Sequence, residues 1–353
     1  MSDDAVNTPA VDDAVPNKPA GHHSAVKDTP VNDLILRASV PDARTGGAVV
    51  EVTPERAGWG YSGLLVHEIA PGGHLDLELT ADEAVVVPLR GSLHLDVTDP
   101  GGERHDLRLT GRSSVFAGAA DVAYLPLGST VTLRPDGGDA SDGAGARVAI
   151  GTARAGRVLP VQVLRAGDVP VDLRGAGRAS RQVHNYTIGT AVDVDRILVC
   201  EVLTPGGNWS SYPPHKHDAH SDVPGHEERE LEEIYYFEVA DGPAGPGLAH
   251  HQVYGTAERP IEVLAEVRTG DTVLVPHGYH GPSAAAPGYD LYYLNVMAGP
   301  ADDGTWLSVD DPAHHWVRGT WESEPVDPRL PLGASPAAAP TPNPTTELTE
   351  EPT

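Results

Sequence analysis

Residues 208–218 read NWSSYPPHKHD and place two histidines, His215 and His217, at alternate positions of one short segment. In an extended strand, side chains two positions apart point to the same face of the sheet. Two neutral imidazoles in this arrangement can meet one metal ion without distorting the backbone. The pair Pro213-Pro214 stiffens the approach to the strand and fixes the direction of both rings. The segment therefore predicts half of a metal site on a β-strand.

Two residues further along the chain complete the predicted ligand set. Glu233 stands at the head of the apolar run IYYF, and His280 follows the turn Pro276-His277-Gly278. Three imidazoles and one carboxylate bind a first-row divalent ion and leave positions for substrate oxygens, which is typical of a catalytic site. Zinc and manganese are the expected ions, one per chain, and iron and nickel suit the same donors.

Other acids and histidines compete for these positions. We prefer Glu233 because it directly precedes a strand, and His280 because the alternative, His277, stands in the turn itself. A solvated acidic run accounts for the remaining glutamates, and surface or packing positions account for the remaining histidines. The competing residues are Glu227, Glu228, Glu230, Glu232, His220, His226, His250, His251, His277, His314 and His315.

The fold class follows from short apolar runs that are separated by Gly, Pro and Asp. The chain of 353 residues has 39 glycines and 33 prolines, which suit a turn-dense β protein and argue against long helices. Two sets of about eight strands predict an all-β fold of two jelly-roll barrels in tandem. Both ends are too poor in apolar residues to fold. The predicted organisation is a disordered tail at 1–30, a first barrel at 31–175, a second barrel at 176–326 and a disordered Pro/Ala/Thr/Glu tail at 327–353.

The first half of the chain carries no counterpart of the histidine pair. The turn Pro71-Gly72-Gly73 precedes a strand with one acid, Glu83, and no clustered imidazoles. A single acid is a poor site for a transition metal. The first barrel is therefore predicted to be structural and without a metal site.

Charge and composition exclude several classes of function. The net charge of −27, without a Lys/Arg-rich patch, argues against nucleic acid as a partner. No apolar run reaches the roughly 18 residues of a membrane span, and the N-terminus lacks a secretory signal. The single cysteine, Cys200, lies in the segment ILVCEV, which predicts a buried, inert thiol in a reducing compartment. We expect a cytoplasmic protein with a small-molecule substrate. Open barrel edges favour a homo-oligomer, a dimer or larger.

The site residues resemble the cupin metal-binding motifs, G-x5-H-x-H with a later Glu and then G-x5-P-x-G before a His. Two departures from the common form, the single residue between Gly278 and His280 and the long interval from His217 to Glu233, match one branch. Six strings in order resemble the 5-deoxy-glucuronate isomerase family. They are RQVHN (Arg181–Asn185), TPGGNWSSYPPHKHD (Thr204–Asp218), LEEIYYF (Leu231–Phe237), VPHGYH (Val275–His280), APGYDLYYLNVMAGP (Ala286–Pro300) and DPAHHWV (Asp311–Val317).

The resemblance covers residues 33–321 and is densest in the second half. It implies a bicupin that interconverts 5-deoxy-glucuronate and 5-dehydro-2-deoxy-gluconate in inositol catabolism. This aldose–ketose isomerisation removes a proton next to a carbonyl and returns it to the neighbouring carbon. A metal would stabilise the resulting enediolate, and a side chain would carry the proton. The candidate proton carriers are His184, Tyr235, Tyr254, Tyr279 and Tyr293.

The carboxylate of such a substrate needs a cation in so acidic a chain. Arg181 is the first choice, because a guanidinium grips a carboxylate with two parallel hydrogen bonds. Lys216 is the other nearby cation, although alternation points it to the face opposite His215 and His217. The further substrate-binding candidates are Trp209 and Tyr212.

Three other functions fit a three-His, one-Glu barrel. The leading one is a related isomerase that acts on 4-deoxy-5-hexosulose uronate, and the string at residues 208–218 favours the inositol branch over it. An iron-dependent dioxygenase would consume oxygen, which isomerisation does not. A non-catalytic cupin would bind a sugar or metal without interconverting the aldehyde and ketone forms.

Overall fold

The computed structural model describes residues 34–39, 47–137, 145–189, 192–301 and 303–333. Strands dominate these ranges, and their helices are short. The tail predicted at the N-terminus lies outside the described residues, as does most of the tail predicted at the C-terminus.

The elements alternate short strands with tight turns, as the spacing of Gly and Pro predicts. The first half contains β1 (Ile35–Leu36), β2 (Ala48–Val52), α1 (Pro54–Ala57), β3 (Ser62–Ile69), β4 (Leu75–Glu78), β5 (Asp82–Thr98), β6 (Arg104–Arg112), β7 (Val122–Leu125), β8 (Thr130–Pro135), β9 (Ala146–Arg154) and β10 (Gln162–Leu164). The second half contains β11 (Val171–Arg174), β12 (Arg181–Asn185), β13 (Leu198–Thr204), β14 (Trp209–Ser210), β15 (His215–Lys216), β16 (Glu232–Val239), β17 (Ala249–Tyr254), β18 (Glu262–Val267), β19 (Thr272–Val275), β20 (Tyr279–Ala285), β21 (Leu291–Ala298) and β22 (Val309–Asp310). Short 3-10 segments lie at Val115–Ala117, Ala166–Asp168, Gly177–Ala179 and His315–Ser323.

These strands form one barrel in each half of the chain. The first barrel has the strand order β10-β7-β5-β9-β3-β2, with β4, β6 and β8 joined to it through β5 and β8. The second barrel is built from two sheets, β1-β19-β16-β21-β13-β12-β11 and β18-β17-β20-β15-β22, with β14 beside β20. The predicted all-β fold of two tandem jelly-roll barrels is confirmed.

Strand pairing divides the barrels differently from the predicted boundary at residues 175 and 176. Strand β11 pairs with β12 as a hairpin, so the predicted boundary falls inside that hairpin turn. The last strand of the first barrel, β10, ends at Leu164, and the crossover therefore lies between Leu164 and Val171. Strand β1 also joins the second barrel, where it pairs with β19.

The central strands of the second barrel are buried on both faces. All eight residues of β21 and all seven of β13 are buried. One face of these strands lines the interior of the second barrel, and the other packs against the first barrel within a single hydrophobic core. Their apolar sequences, LYYLNVMA and LVCEVLT, match this environment, because a strand that is covered on both faces reads as a continuous apolar run.

Two carboxylates, one buried and one half-buried, join the two barrels. Glu83 of the first barrel accepts hydrogen bonds from the backbone N–H groups of Asp195, Arg196 and Ile197, at 2.6–2.8 Å. Glu232 of the second barrel accepts from three backbone N–H groups of the segment 60–62, at 2.6–2.9 Å. Each carboxylate loses water on folding and gains several charge-assisted hydrogen bonds in its place. The interface is therefore polar, and both of these carboxylates have hydrogen-bond partners.

The described chain ends in a segment that packs against the second barrel. Asp327 accepts a hydrogen bond from the Asn208 side chain at 3.0 Å, and the Leu332 N–H donates to Gln182 at 2.7 Å. Residues 327–333, which lie in the segment predicted to be a disordered tail, therefore contact the barrel. None of the helices in the described ranges is long and apolar enough to cross a membrane.

Candidate metal centre

The second barrel brings the four predicted ligands together from three elements. His215 on β15 lies directly opposite His280 on β20 in the strand register. Glu233 enters from β16, and His217 follows β15 by one residue. All four side chains are buried. The alternation of His215 and His217, together with antiparallel pairing to β20, explains why residues so distant in sequence meet.

Three of the four residues form a tight cluster. The ligand atoms of His217, Glu233 and His280 lie within 4.8 Å of one another. Oε2 of Glu233 is 3.0 Å from Nε2 of His217 and 3.0 Å from Nε2 of His280. The Nε2 atom of His280 is buried and forms no hydrogen bond with any described residue. One carboxylate oxygen therefore faces two imidazole nitrogens in a space shielded from water.

The other ring nitrogens fix the orientation of these histidines. Nδ1 of His217 lies 3.1 Å from the Leu231 carbonyl, and Nδ1 of His280 lies 3.2 Å from the Gly278 carbonyl. A carbonyl only accepts, so each Nδ1 carries a proton, and each Nε2 is left to face Glu233, as a lone pair in the neutral ring or as an N–H in the protonated ring. The lone pair of a neutral ring would repel a carboxylate at 3.0 Å unless a proton or a metal ion stands between them. The donor set therefore fits a divalent metal ion.

His215 lies beside this cluster and lines the adjoining cavity. Its ring centroid is 4.5 Å from that of His280 and 6.3 Å from that of His217. Its Nδ1 atom lies 3.4 Å from the Pro213 carbonyl. Burial, with further contributions from His280 and His217, lowers the pKa of His215 well below its usual value, so the ring is neutral and able to act as a ligand.

Asn295 holds the second oxygen of Glu233. Its Nδ2 atom donates to Oε1 of Glu233 at 2.7 Å. Burial would raise the pKa of Glu233, but the neighbouring rings of His280 and His217 lower it well below its usual range. The sequence analysis missed Asn295, although one polar residue within the buried run LYYLNVMA was a usable signal.

A small cavity opens beside the cluster. Two of its lining residues, Arg174 and Trp306, were not predicted from the sequence. Both lie outside the histidine-containing strings that drew attention to the site. The full lining consists of Arg174, Arg181, Val183, Cys200, Val202, Ser211, His215, Glu233, Tyr235, Tyr293, Asn295, Met297 and Trp306.

Two of the five candidate proton carriers, Tyr235 and Tyr293, line this cavity. The Tyr235 hydroxyl lies 2.9 Å from Oγ of Ser211, and the centroids of the two tyrosine rings are 5.2 Å apart. Burial raises the pKa of Tyr293 to about 12, although Ser210 and the charge of Arg181 oppose that rise. Both hydroxyls are therefore protonated near neutral pH.

The other three candidates lie elsewhere. His184 contacts Oε1 of Glu201 at 2.7 Å on the side of β12 that faces the first barrel. Tyr254 donates to Asp311 at 2.5 Å, and its ring stacks on Tyr279 with a centroid distance of 5.6 Å. None of the three is part of the cavity lining.

Of the four predicted substrate-binding residues, one lines the cavity and three lie elsewhere. Arg181 lines the cavity, and no described carboxylate lies within ion-pairing distance of it. Lys216 points away, as alternation predicts, and its ammonium contacts Asp218 at 2.7 Å and Glu228 at 2.8 Å. Trp209 and Tyr212 line a separate surface groove, where their rings meet edge to face at 5.5 Å.

The competing acids and histidines of this half have other partners or lie outside the cluster. Glu228 pairs with Lys216, and Glu232 binds backbone N–H groups of the first barrel. His251 is buried against Tyr235, and its Nδ1 lies 2.9 Å from Oγ of Ser283. His277 belongs to none of the clusters that could hold a metal in the described residues.

The acidic residues of the first barrel have different surroundings from Glu233 in the second. Its Glu83 is fully buried and, besides three backbone N–H groups, accepts a hydrogen bond from the Tyr124 hydroxyl at 2.7 Å. Two His/Asp-rich clusters do occur on its surface, at His94, Asp96 and Asp106 and at Asp99, Glu103 and His105. Their members are exposed or half-exposed, unlike the buried cluster of the second barrel.

Comparison with known proteins places this geometry in context. The family model described as KduI/IolB matches residues 35–317. The chain is 39% identical over 289 residues to a 5-deoxy-glucuronate isomerase of Geobacillus kaustophilus, a match that covers 80% of this chain and 95% of the relative. It is 36% identical over 270 residues to the 5-deoxy-glucuronate isomerase of Bacillus subtilis strain 168, covering 76% and 92% of the two chains.

Solved structures of other proteins are similar to this chain in fold. The fold is similar to the crystal structure of an IolB-like protein from Salmonella typhimurium, with a TM-score of 0.69 and 30% identity over 80% of this chain and 98% of that one. It is also similar to Bacillus subtilis oxalate decarboxylase, with a TM-score of 0.51 and 13% identity over 75% of each chain. The second likeness concerns the fold alone.

Proposed function

The chain belongs to the KduI/IolB family, and we propose that it is the isomerase that converts 5-deoxy-glucuronate to 5-dehydro-2-deoxy-gluconate in myo-inositol catabolism. Relatives that carry the name 5-deoxy-glucuronate isomerase match most of the chain at 36–39% identity. The observation that carries the proposal is the buried cluster of His217, Glu233 and His280, which adjoins a cavity that also contains Arg181. The cavity thus combines donors that suit a Lewis acid with a cation that suits a carboxylate.

The proposed metal ligands are His215, His217, Glu233 and His280, with zinc or manganese as the expected ion and iron or nickel as alternatives. Such an ion would polarise substrate oxygens and stabilise the negative charge that develops when a proton leaves carbon. The backbone carbonyls behind the histidine rings and the Asn295 amide behind Glu233 hold the ligands in place. The protein thus supplies an oriented set of donors in a dry pocket.

Tyr235 and Tyr293 are the proposed proton carriers. An aldose–ketose conversion moves one proton between neighbouring carbons and another between neighbouring oxygens, so hydroxyl groups close to both are needed. Both phenols line the cavity, and their rings adjoin one another. If Tyr235→Phe and Tyr293→Phe each retain turnover within about tenfold of the parent, the proton is carried by another group, such as water.

Arg181 is the proposed partner of the substrate carboxylate. Its side chain reaches the cavity, where it donates to the Ala179 carbonyl at 3.2 Å. Burial lowers the pKa of Arg181 to about 10, so it remains charged at neutral pH. A guanidinium that is half-buried without a carboxylate partner is costly, and an anionic substrate would offset this cost.

The decisive experiment follows the conversion of 5-deoxy-glucuronate by NMR in D₂O, with the metal content of the same sample measured by mass spectrometry. We expect interconversion without oxygen uptake, and loss of turnover together with loss of metal after chelation. Turnover that survives complete removal of metal would contradict the metal-assisted mechanism. Faster conversion of 4-deoxy-5-hexosulose uronate would identify the related isomerase, and oxygen uptake would identify a dioxygenase. The predicted homo-oligomer can be checked by light scattering.

A further inference from the structure

We propose that Arg174 joins Arg181 in a carboxylate clamp, and that Trp306 and Trp321 hold the two guanidinium groups in position. This inference rests on the proposed function and deepens it, because it identifies the residues that select a sugar acid over a neutral sugar. Arg174 and Arg181 both line the cavity that contains Glu233. The clamp would bind one end of the substrate while the metal cluster addresses the other.

The strand register places the two arginines side by side. Arg174 on β11 is the direct cross-strand partner of Arg181 on β12. Directly opposite residues of an antiparallel pair project to the same face of the sheet, about 4.5–5.5 Å apart at Cβ, and like charges in this position are destabilising. The fold therefore holds two positive charges together beside a cavity, which an anion between them would favour.

Local acids neutralise this pair only in part. Nη2 of Arg174 lies 3.0 Å from Oδ2 of Asp172, an oxygen that also accepts a hydrogen bond from Asn185 at 3.0 Å. Arg181 donates to backbone carbonyls, and no carboxylate of the described residues lies within ion-pairing distance of it. In a chain with a net charge of −27, an arginine without an acidic partner inside a cavity indicates a site for an anionic ligand.

Two indoles from the C-terminal part of the barrel cover these guanidinium groups. The guanidinium carbon of Arg174 lies 5.5 Å from the ring centroid of Trp306, and that of Arg181 lies 5.5 Å from the ring centroid of Trp321. Stacking on an aromatic face restricts the guanidinium plane and leaves its N–H edge available for a carboxylate. Trp306 also adjoins the metal centre, with its ring centroid 6.2 Å from that of His215.

A purely structural role for Arg174 predicts different results from a role in the clamp. If Arg174 served only to hold β11 through Asp172, its removal would destabilise the protein and would weaken binding of acidic and neutral sugars alike. If it belongs to a ligand clamp, removing one of two adjacent like charges leaves the ligand-free protein equally stable or more stable. Binding of sugar acids alone would then weaken.

The test uses Arg174→Met and Arg181→Met, with Arg268→Met as the control, because Arg268 is an exposed arginine outside the cavity lining. Calorimetry with D-glucuronate and D-glucose as probes measures binding directly, and thermal unfolding of the ligand-free proteins measures stability. We expect each clamp variant to weaken D-glucuronate binding by about 10–100-fold, as loss of a charge-assisted hydrogen bond predicts, with D-glucose binding changed by less than about threefold. The control should match the parent.

Trp306→Phe and Trp321→Phe should weaken D-glucuronate binding by a smaller factor, because phenylalanine retains part of the stacking. Equal losses for both probes, or a lower melting temperature for Arg174→Met with unchanged D-glucuronate affinity, would overturn the clamp. Because these measurements need no turnover, their failure is distinct from failure of the proposed isomerase activity, which only the assay with 5-deoxy-glucuronate tests.

Discussion

Nε2 of His280 lies 3.0 Å from Oε2 of Glu233 and yet forms no hydrogen bond with it or with any other described residue. The ring donates its Nδ1 proton to the Gly278 carbonyl at 3.2 Å, so the Nε2 lone pair points into the cluster. A buried lone pair beside a buried carboxylate is unfavourable without a cation. This arrangement therefore supports the proposed metal site.

We predict that Glu233→Gln and His280→Gln each abolish stable metal binding. Each change removes a donor from a set of three or four, which should cost more than the roughly 10–100-fold that loss of an outer-shell contact costs. The metal content per chain after dialysis is the measurement. His250→Gln is the matched control, because His250 is exposed on β17 and should leave the metal content unchanged. A full complement of metal in Glu233→Gln would refute this ligand assignment.

Asn295→Ala should weaken the metal site without removing a ligand. The amide donates to Oε1 of Glu233 at 2.7 Å and thereby orients the carboxylate. Loss of such an outer-shell contact typically costs about 10–100-fold in metal affinity. Competition with a chromogenic chelator would measure that affinity. Asn295→Asp should be more damaging than Asn295→Ala, since a second carboxylate would repel Glu233. Equal affinity in all three proteins would show that Asn295 has no part in orienting the ligand.

Glu83 of the first barrel should respond differently from Glu233 to a Glu→Gln substitution. Here we expect a loss of stability and no loss of metal. Its carboxylate accepts from three backbone N–H groups and from Tyr124, so a glutamine amide would leave N–H groups facing N–H groups. We expect Glu83→Gln to destabilise the protein by about 2–4 kcal/mol. Urea unfolding measures the loss of stability, and metal analysis should show the parental content. Parental stability would argue against a structural role for this acid.

The single cysteine should be unreactive in the folded protein. Cys200 is buried, and burial raises its thiol pKa to about 12. At pH 8 only about one thiol in 10⁴ would be ionised, and the thiolate is the reactive form. We expect no labelling by an aromatic disulfide reagent in buffer and one equivalent per chain in denaturant. Rapid labelling of the native protein would contradict the buried environment of β13.

Features of the candidate metal site that depend on local spacing could be predicted from the sequence. The H-x-H alternation gave the common face of His215 and His217, and the same rule turned Lys216 away from them. The apolar run of β21 indicated burial on both faces. These conclusions need only the two-residue period of a strand, which is independent of the partner with which that strand pairs.

Features that depend on strand register could not be predicted in this way. Arg174 reaches the cavity because β11 pairs with β12, whereas the sequence prediction placed it at the end of the first barrel. His184 was one of the five predicted proton carriers. Yet alternation along β12 turns it towards Glu201 and the first barrel. Choosing between the two faces of a strand requires knowledge of what covers each face.

The contact between Arg112 and Glu201 predicts how the stability of the barrel interface depends on pH. The arginine of the first barrel donates two hydrogen bonds of 2.7 Å to the carboxylate of the second, and both side chains are buried. His184 and the Tyr292 hydroxyl also contact Glu201, at 2.7 Å and 2.9 Å. Burial alone would raise the pKa of Glu201, but the charge and hydrogen bonds of Arg112, together with His184, hold it well below its usual range.

The pKa of Glu201 is lower in the folded than in the unfolded state. The ionised carboxylate therefore stabilises the folded protein fully above the usual pKa of Glu, and this contribution declines as the pH falls below that value. Glu201→Gln should cost about 3–5 kcal/mol at pH 7, since it leaves Arg112 buried and unpaired. The double variant Arg112→Met with Glu201→Leu should lose less, because neither charge remains. Urea unfolding at pH 7 and pH 4 should show a larger loss of stability on acidification in the parent than in the double variant. An equal loss in both would mean that other carboxylates, and not this pair, govern the stability of the protein in acid.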